Sequence, residues 1–400
     1  MRRNLPLFVI CLTVMLDSMG IGLILPIMPD LIQEVQGGSL AQAALWGGVL
    51  SAVFAVMQFL FSPLVGNLSD RFGRRPVMLI SLAVMAVDYV IMALAGSIWL
   101  LMAGRVLGGI TAATHATASA YVADISAPQK KAANFGMIGA AFGLGFVLGP
   151  LMGGVLGTLG TRAPFYAAAI LSALNFALAA WVLKETVTDA IRRPFSWRRA
   201  NPLSALLAVG RLPGIGRLLC VYLLYSVALY VYPAIWAYFT EARFGWDVGL
   251  IGLSLGVFGL AAAFVQAVLI RWVLRWWGER LTVVFGHVFD MVAFGILAFV
   301  RNGTVALLLT PLSALGMVAT PALQGIMSQR VPDNAQGELQ GVLSSLSALS
   351  MIVSPLLMTQ VFAAFTQEGS QIDMPGAPFL LSLGLLAVAL VLFLRQPRAA

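Results

Sequence analysis

Apolar runs of about 20 residues, separated by short polar clusters, recur along the whole chain. An α-helix needs that length to cross ~30 Å of hydrocarbon, and in lipid it alone among single segments satisfies its own backbone hydrogen bonds. Twelve spans are expected: 5–27, 45–65, 76–95, 98–121, 134–156, a sixth closing near 183, then 214–239, 246–270, 280–300, 303–325, 338–362 and 377–394. The fold class expected is therefore an all-α polytopic membrane protein of two pseudo-symmetric six-helix bundles. Their boundaries are 1–184 and 214–400, with a cytoplasmic linker at 185–213. Two landmarks repeat at one offset: Gly73 and Gly278 differ by 205, as do Pro150 and Pro355. A duplicated six-helix unit leaves such a trace. The copy is degenerate, since Arg275 and Glu279 stand where Asp70 and Arg74 stood.

The densest polar cluster, Gly66-Asn-Leu-Ser-Asp-Arg-Phe-Gly-Arg-Arg-Pro76, falls between the second and third spans and is expected to be a hairpin. Placing it in the cytoplasm puts 20 of the 24 basic residues on the same side, among them Arg2, Arg3, Lys130, Lys131, Arg330, Arg395 and Arg398. By the positive-inside rule both termini are then cytoplasmic. Lys184, Arg192, Arg193, Arg198, Arg199 and Arg211 cluster with Pro194, Trp197 and Pro202 in the linker, either at the lipid surface or as a solvated basic loop.

Composition agrees. At 60% hydrophobic and 10% charged, a 400-residue chain cannot hide its apolar surface in a soluble core. The net charge of +8 is topological, so no nucleic-acid partner is expected. Cys11 and Cys220 both lie in apolar runs, which speaks against a disulfide framework. Met1-Arg2-Arg3 and its apolar run imitate a signal peptide, but Asp17 interrupts the run and no small-residue cleavage site follows, so an uncleaved first span is expected.

The polar residues inside spans carry the chemistry. A charge at bilayer depth costs ~2.5–3.5 kcal/mol on insertion scales and normally faces a bundle interior or a water path. Asp17, Asp88 and Asp290 are such charges, and Arg105 in the fourth span needs one of the first two as partner. His287 and Asp290 are three apart, on one helical face. Gln58, Gln266, Gln324 and Gln340 add intramembrane amides; His115 reads as structural. Gly145, Gly149 and Gly153 form a four-residue stripe around Pro150, which allows close backbone packing and a bend. No zinc-type histidine spacing, Ser-His-Asp order or phosphate-cradling loop is present, so neither enzyme nor resident cofactor or metal is expected. The set suits a proton-coupled carrier, because burial and a movable arginine act oppositely on a carboxyl's hold on its proton. A passive or lipid-moving carrier and a membrane receptor or scaffold are the competing classes.

The 66–76 cluster resembles the signature hairpin of the major facilitator superfamily. Arg105 with Gly108 and Gly109 resembles its fourth-helix basic motif, and Gly145-Phe-Val-Leu-Gly-Pro-Leu-Met-Gly-Gly its antiporter motif. Leu16-Asp-Ser-Met-Gly-Ile-Gly-Leu-Ile-Leu-Pro, Asp88-Tyr89, Arg243-Phe-Gly-Trp and Pro321-Ala-Leu-Gln-Gly are similar to the bacterial tetracycline/proton antiporters. The resemblance implies proton coupling at Asp17, Asp88, Asp290 and Arg105, and a gating network of Asp70, Gly73, Arg74 and Asp124. It implies drug contacts at Gln58 and Gln266, and His287, Trp236 and Gln324 of this chain complete the expected substrate-binding set. A monomer of the bacterial inner membrane would export tetracycline, entering as a magnesium chelate, or another lipophilic aromatic drug, in exchange for protons. A carrier of the same fold that moves other drugs, lipids or metabolites is the alternative. The chain departs from the pattern at Ala262, where the family has histidine, and at Val227 and Val231, where it has glutamines. His287 and the tyrosines of the seventh span, Tyr222, Tyr225, Tyr230 and Tyr232, are the residues placed to compensate.

Overall fold

A computed structural model describes residues 5–112, 114–189, 192–197, 200–202, 214–332 and 335–396. Arg2, Arg3, Arg198, Arg199, Arg211 and Arg398 lie outside the described residues. Regular structure among the described residues is helical throughout. In the first part of the chain α1 is Leu5–Ile24, α2 Met28–Gln36, α3 Leu40–Phe72, α4 Arg74–Leu94, α5 Ile98–Thr111, α6 Thr114–Ile125, α7 Lys131–Gly157 and α8 Ala163–Val182. In the second, α9 is Gly216–Leu229, α10 Val231–Phe244, α11 Val248–Phe264, α12 Ile270–Phe299, α13 Gly303–Ser313, α14 Ala319–Gln329, α15 Gln336–Thr366 and α16 Ala377–Leu394.

Ten stretches among the described residues are long and apolar enough to cross a membrane. One of them, Val248–Phe299, contains a bend at Gly278, whose φ of 67° lies in the left-handed region that glycine alone tolerates cheaply. The expected fourth span is divided into α5 and α6, neither of which reaches spanning length by itself.

Four expectations about spans need correction. The 66–76 cluster is not a free hairpin: α3 continues through it to Phe72, and the turn is confined to Gly73, with φ 113°. Polar residues continue a helix as readily as they form a loop, so loss of hydrophobicity did not mean loss of helix. The seventh span is interrupted at Tyr230 and continues to Phe244 rather than 239. Pro233 has no N–H to give the carbonyl of Leu229, which leaves a weak point there. The eighth carries a π-helical turn at Val265–Leu269, and the tenth a 3₁₀ segment at Ala314–Val318. Such departures from α geometry open the backbone ladder locally and recur at functional sites.

Contacts divide the chain into two compact units. One takes the described residues of 1–37, 53–202 and 248–253; the other takes those of 38–52, 203–247 and 254–400. In the first unit α1 lies along α7 and α4 along α8. The α1–α7 approach is set by the glycine stripe. A Cβ added at Gly145, Gly149 or Gly153 would sit 2.1, 2.4 or 2.3 Å from the carbonyl oxygens of Met15, Met19 and Leu23, one turn apart on α1. The two backbones therefore touch where lipid supplies no hydrophobic drive, and packing alone holds them. Asn175 of α8 adds a buried hydrogen bond, donating to Thr13 of α1 at 3.0 Å. In the second unit α16 packs on α9 and α12, and α12 also packs on α14.

Candidate functional site

Polar residues within the units gather into three groups. The first surrounds Gly73. Arg74 reaches Asp124 at the end of α6, Nε to Oδ2 3.3 Å, while its Nη1 donates to Ser69 at 2.8 Å and to Asp70 one turn back. Asp70, Arg74 and Asp124 thus form one network with side chains 14–24% exposed. Gly73 is needed for its backbone and for its bareness: a Cβ there would lie 2.2 Å from a carboxylate oxygen of Glu185. That carboxylate caps α4, accepting from the amides of Arg74 at 2.9 Å and Arg75 at 3.1 Å, and it also accepts from Thr186 and Val187. Helix N-termini leave such amides without intrahelical partners and favour an anion beside them. Thr186 donates to Asp124 at 2.9 Å, closing the ring. The start of the linker is docked on the same place, with the Arg193 amide on the Asp70 carbonyl and Asn67 on that of Ser196.

The second group lies deep in the first unit. Asp17 and Asp88 are buried, 8% and 2% exposed, and Arg105 is 7% exposed. Asp88 is laid on the glycines of α5: its oxygens would be 2.9 Å from a Cβ at Gly104 and 2.7 Å from one at Gly108. The expected ion pair is looser than a contact. Arg105 exerts a Coulombic pull on Asp88, but among the described residues no carboxylate lies within 4.0 Å of its guanidinium. The guanidinium instead stands over the ring of Phe54, 5.4 Å from its centroid, a cation–π geometry that spares it hydrocarbon. Asp88 Oδ1 and Arg105 Nε have no hydrogen-bond partner among the described residues. Tyr89 joins the group, within electrostatic reach of Asp17, Asp88 and Arg105, with its hydroxyl against Gly20 of α1.

The third group belongs to the second unit. Asp290 is fully buried, and Tyr225 of α9 donates to its Oδ2 at 3.0 Å. His287 is also fully buried, its Nδ1 2.9 Å from the Val283 carbonyl and its ring tilted over Tyr225 at 4.7 Å. Gln324 donates to Tyr222 at 3.4 Å, and Tyr222 shares a 2.8 Å hydrogen bond with Ser347. Trp236 is 2% exposed; its indole N–H donates to Ser254 at 2.9 Å, within an aromatic cluster of Tyr232, Phe239 and Trp246. Gln266 sits exposed on the π-helical turn and Gln58 half-buried on α3. Ala262 lies in a wholly apolar cluster with Val265, Ile270, Ala314 and Val318, and Val227 and Val231 are equally buried. His115 is exposed, edge-on to Phe142 at 5.6 Å.

Three positions in these groups carry contacts that the sequence did not single out. Tyr89 was named only within the Asp88-Tyr89 motif and Tyr225 only as one of four tyrosines of the seventh span, and nothing local marks the depth of a tyrosine. Glu185 acts on amides 110 and 111 residues away, a relation with no sequence signal. Among the described residues no group of three or more His, Cys, Asp or Glu side chains could hold a metal ion.

The family model described as Major Facilitator Superfamily matches residues 10–355 and 218–400. The class C tetracycline resistance protein of Escherichia coli is 41% identical over 365 residues, 91% of either chain. The class G protein of Vibrio anguillarum is 41% identical over 88% of this chain and 89% of its own. Among solved structures, the human organic anion transporter MFSD10 (TETRAN) aligns over 98% of this chain and 99% of its own, at 26% identity and a TM-score of 0.69.

Proposed function

This chain belongs to the Major Facilitator Superfamily, and from that premise we propose that it is a proton-coupled antiporter exporting tetracycline by alternating access. The observation that carries the reading is the state of its three intramembrane carboxylates. Asp17, Asp88 and Asp290 are each less than a tenth exposed, with no cation within 4.0 Å among the described residues, so each is a place where a proton can neutralise a costly charge. The 41% identity to two tetracycline resistance proteins supports the substrate.

In this reading twelve spans form two six-helix halves, 1–184 and 214–400, joined by the 185–213 linker, with both termini cytoplasmic. The protein is a monomer of the bacterial inner membrane, and no nucleic acid takes part. Asp17, Asp88 and Asp290 load and release protons, and Arg105 biases the first two. Asp70, Arg74 and Asp124 around Gly73 hold the cytoplasmic end in one state and release it in the other. Gln58, Gln266, Gln324, Trp236 and His287 contact the drug, which enters as a magnesium chelate. The helix carrying Gly145, Gly149, Pro150 and Gly153 keeps outward and inward forms tightly packed.

The test is dequenching of a pH-sensitive acridine dye in energised everted vesicles on adding tetracycline with magnesium, with Asp17→Asn as control. Proton release that the folded Asp17→Asn and Asp290→Asn variants lack is the expected result. Silence from the folded wild type removes tetracycline as substrate, and coupling retained in both variants removes the assigned proton roles. Silence with tetracycline but release with other lipophilic drugs supports the second reading, a multidrug carrier. The apolar cluster around Ala262 favours it, because it offers no hydrogen bond where the tetracycline pumps place histidine.

A further inference from the structure

The proton site of the second unit contains one hydrogen and two acceptors. The Tyr225 hydroxyl is 3.0 Å from Asp290 Oδ2 and 3.0 Å from the carbonyl oxygen of Gly316, and a phenol has a single hydrogen to donate. Gly316 lies in the 3₁₀ segment Ala314–Val318 between α13 and α14, and its carbonyl also accepts the Ala319 amide. A Cβ on residue 316 would be 1.8 Å from Asp290 Oδ1, so the carboxylate rests directly on the bare backbone of the irregular segment.

We infer that Tyr225 is a positioning residue that ties the proton on Asp290 to the irregular segment at Ala314–Val318, an inference that rests on the proton-coupled reading above. With Asp290 ionised, the phenol hydrogen points to the carboxylate and the Gly316 carbonyl keeps only its backbone partner. When a proton arrives at Oδ2, the new acid hydrogen donates to the phenol oxygen, and the phenol hydrogen turns to Gly316. One proton is taken up, Tyr225 keeps its own, and a hydrogen bond moves from α12 to the segment between α13 and α14. Loading thereby changes the support of a backbone stretch that is already outside α geometry, the kind of element able to hold two arrangements.

The surroundings leave this role to Tyr225. The titratable groups facing Asp290 are Tyr225 of α9, Tyr232 of α10 and His287 of α12 itself, while α16 contributes the ring of Phe379 beside Tyr232. Thr320 adds a neutral hydroxyl beside Tyr225, and Ser313 another beside Tyr232. No arginine or lysine among the described residues lies within 4.0 Å of the carboxylate. Its other oxygen, Oδ1, has no hydrogen-bond partner among the described residues, so the phenol is the one donor in position to sense its charge.

The test is infrared difference spectroscopy of the full-length protein in lipid, between acidic and alkaline pH. The C=O stretch of protonated Asp290, identified by its loss in Asp290→Asn, is expected to move in Tyr225→Phe. In everted vesicles the same variant should leave half-saturation by magnesium-tetracycline unchanged and lower turnover about tenfold or more, the worth of a hydrogen bond to a charged group. An unmoved band, a band absent from the wild type, or an unchanged turnover in an active protein overturns the proposal. If Tyr225→Phe does not fold, isosteric 3-fluorotyrosine at position 225 replaces it, and a band unmoved by that change is equally fatal. A wild type silent in vesicles overturns the export reading alone, since the infrared band still decides for or against Tyr225.

Discussion

Gly149→Ala is the sharpest test of how α1 and α7 are held. The new methyl would lie 2.4 Å from the Met19 carbonyl oxygen, 3.0 Å from the Gly22 Cα and 3.0 Å from the Leu23 amide nitrogen. All three are backbone atoms, so no side chain can rotate away, and α1 must retreat by roughly 1 Å to restore ordinary contact at ~3.5 Å. Retreat also loosens the matching contacts at Gly145 and Gly153, because α1 is stiff over that length. Overpacking of this kind costs about 1–3 kcal/mol. Gly139→Ala and Gly143→Ala on the same helix are the controls: a Cβ there meets nothing within 4 Å, and alanine gains up to about 1 kcal/mol of helix propensity. Thermal unfolding of the purified variants in lipid nanodiscs, followed by circular dichroism, should rank Gly149→Ala well below wild type and both controls at or above it. The gap expected between test and control is about 1–4 kcal/mol. Equal midpoints for Gly149→Ala and Gly143→Ala would refute the argument that backbone contact sets the α1–α7 distance.

Two further predictions follow from residues outside the spans. Arg74→Lys should fail to restore what Arg74→Ala loses in the vesicle export assay, because one ammonium cannot reach Ser69, Asp70 and Asp124 together as the guanidinium does; export by Arg74→Lys near the wild-type rate would count against a shared network. Glu34 accepts from Thr161 and pairs with Arg162 at 3.0 Å, and first that hydroxyl and then the arginine hold its carboxyl below the ordinary 4.5, against partial burial. A depressed carboxyl stabilises the fold above its unfolded value and loses that contribution as pH falls through the folded one. Unfolding midpoints of the wild type should therefore decline below about pH 4.5 more than those of Glu34→Gln. With a side chain 44% exposed the effect stays under about 1 kcal/mol, and parallel pH profiles would remove it.

Much of the fold could be read from the chain because lipid imposes a coarse rule: runs such as 377–394 must be helix, and there α16 coincides with the expected span. The rule fails where water returns. Asp70 and Arg71 look like loop, yet they are helical, since a polar turn exposed to water is still a good turn. Pro233 announces the interruption at Tyr230, whereas the π-helical turn at Gln266 has no proline or glycine within it. The same limit governs the site. The spacing of His287 and Asp290 gave a shared face correctly, but that face proves fully enclosed, because enclosure depends on Tyr225 and Gly316 from other helices. Arg105 was assigned a carboxylate on charge alone; the ring of Phe54 beneath its guanidinium carried no charge to announce it.

Glu185 sits just past the end of α8, yet the helix it completes begins at Arg74. The opening of the linker is therefore structural material of the first unit rather than slack between two bodies, and Asn67 and Asp70 bind it as far as Ser196. A gene divided between codons 184 and 185 would hand the second fragment the stopper of the first fragment's third span. Division after residue 202 would leave that span intact, so any attempt to express, exchange or recombine the two halves has its natural seam well inside the basic stretch.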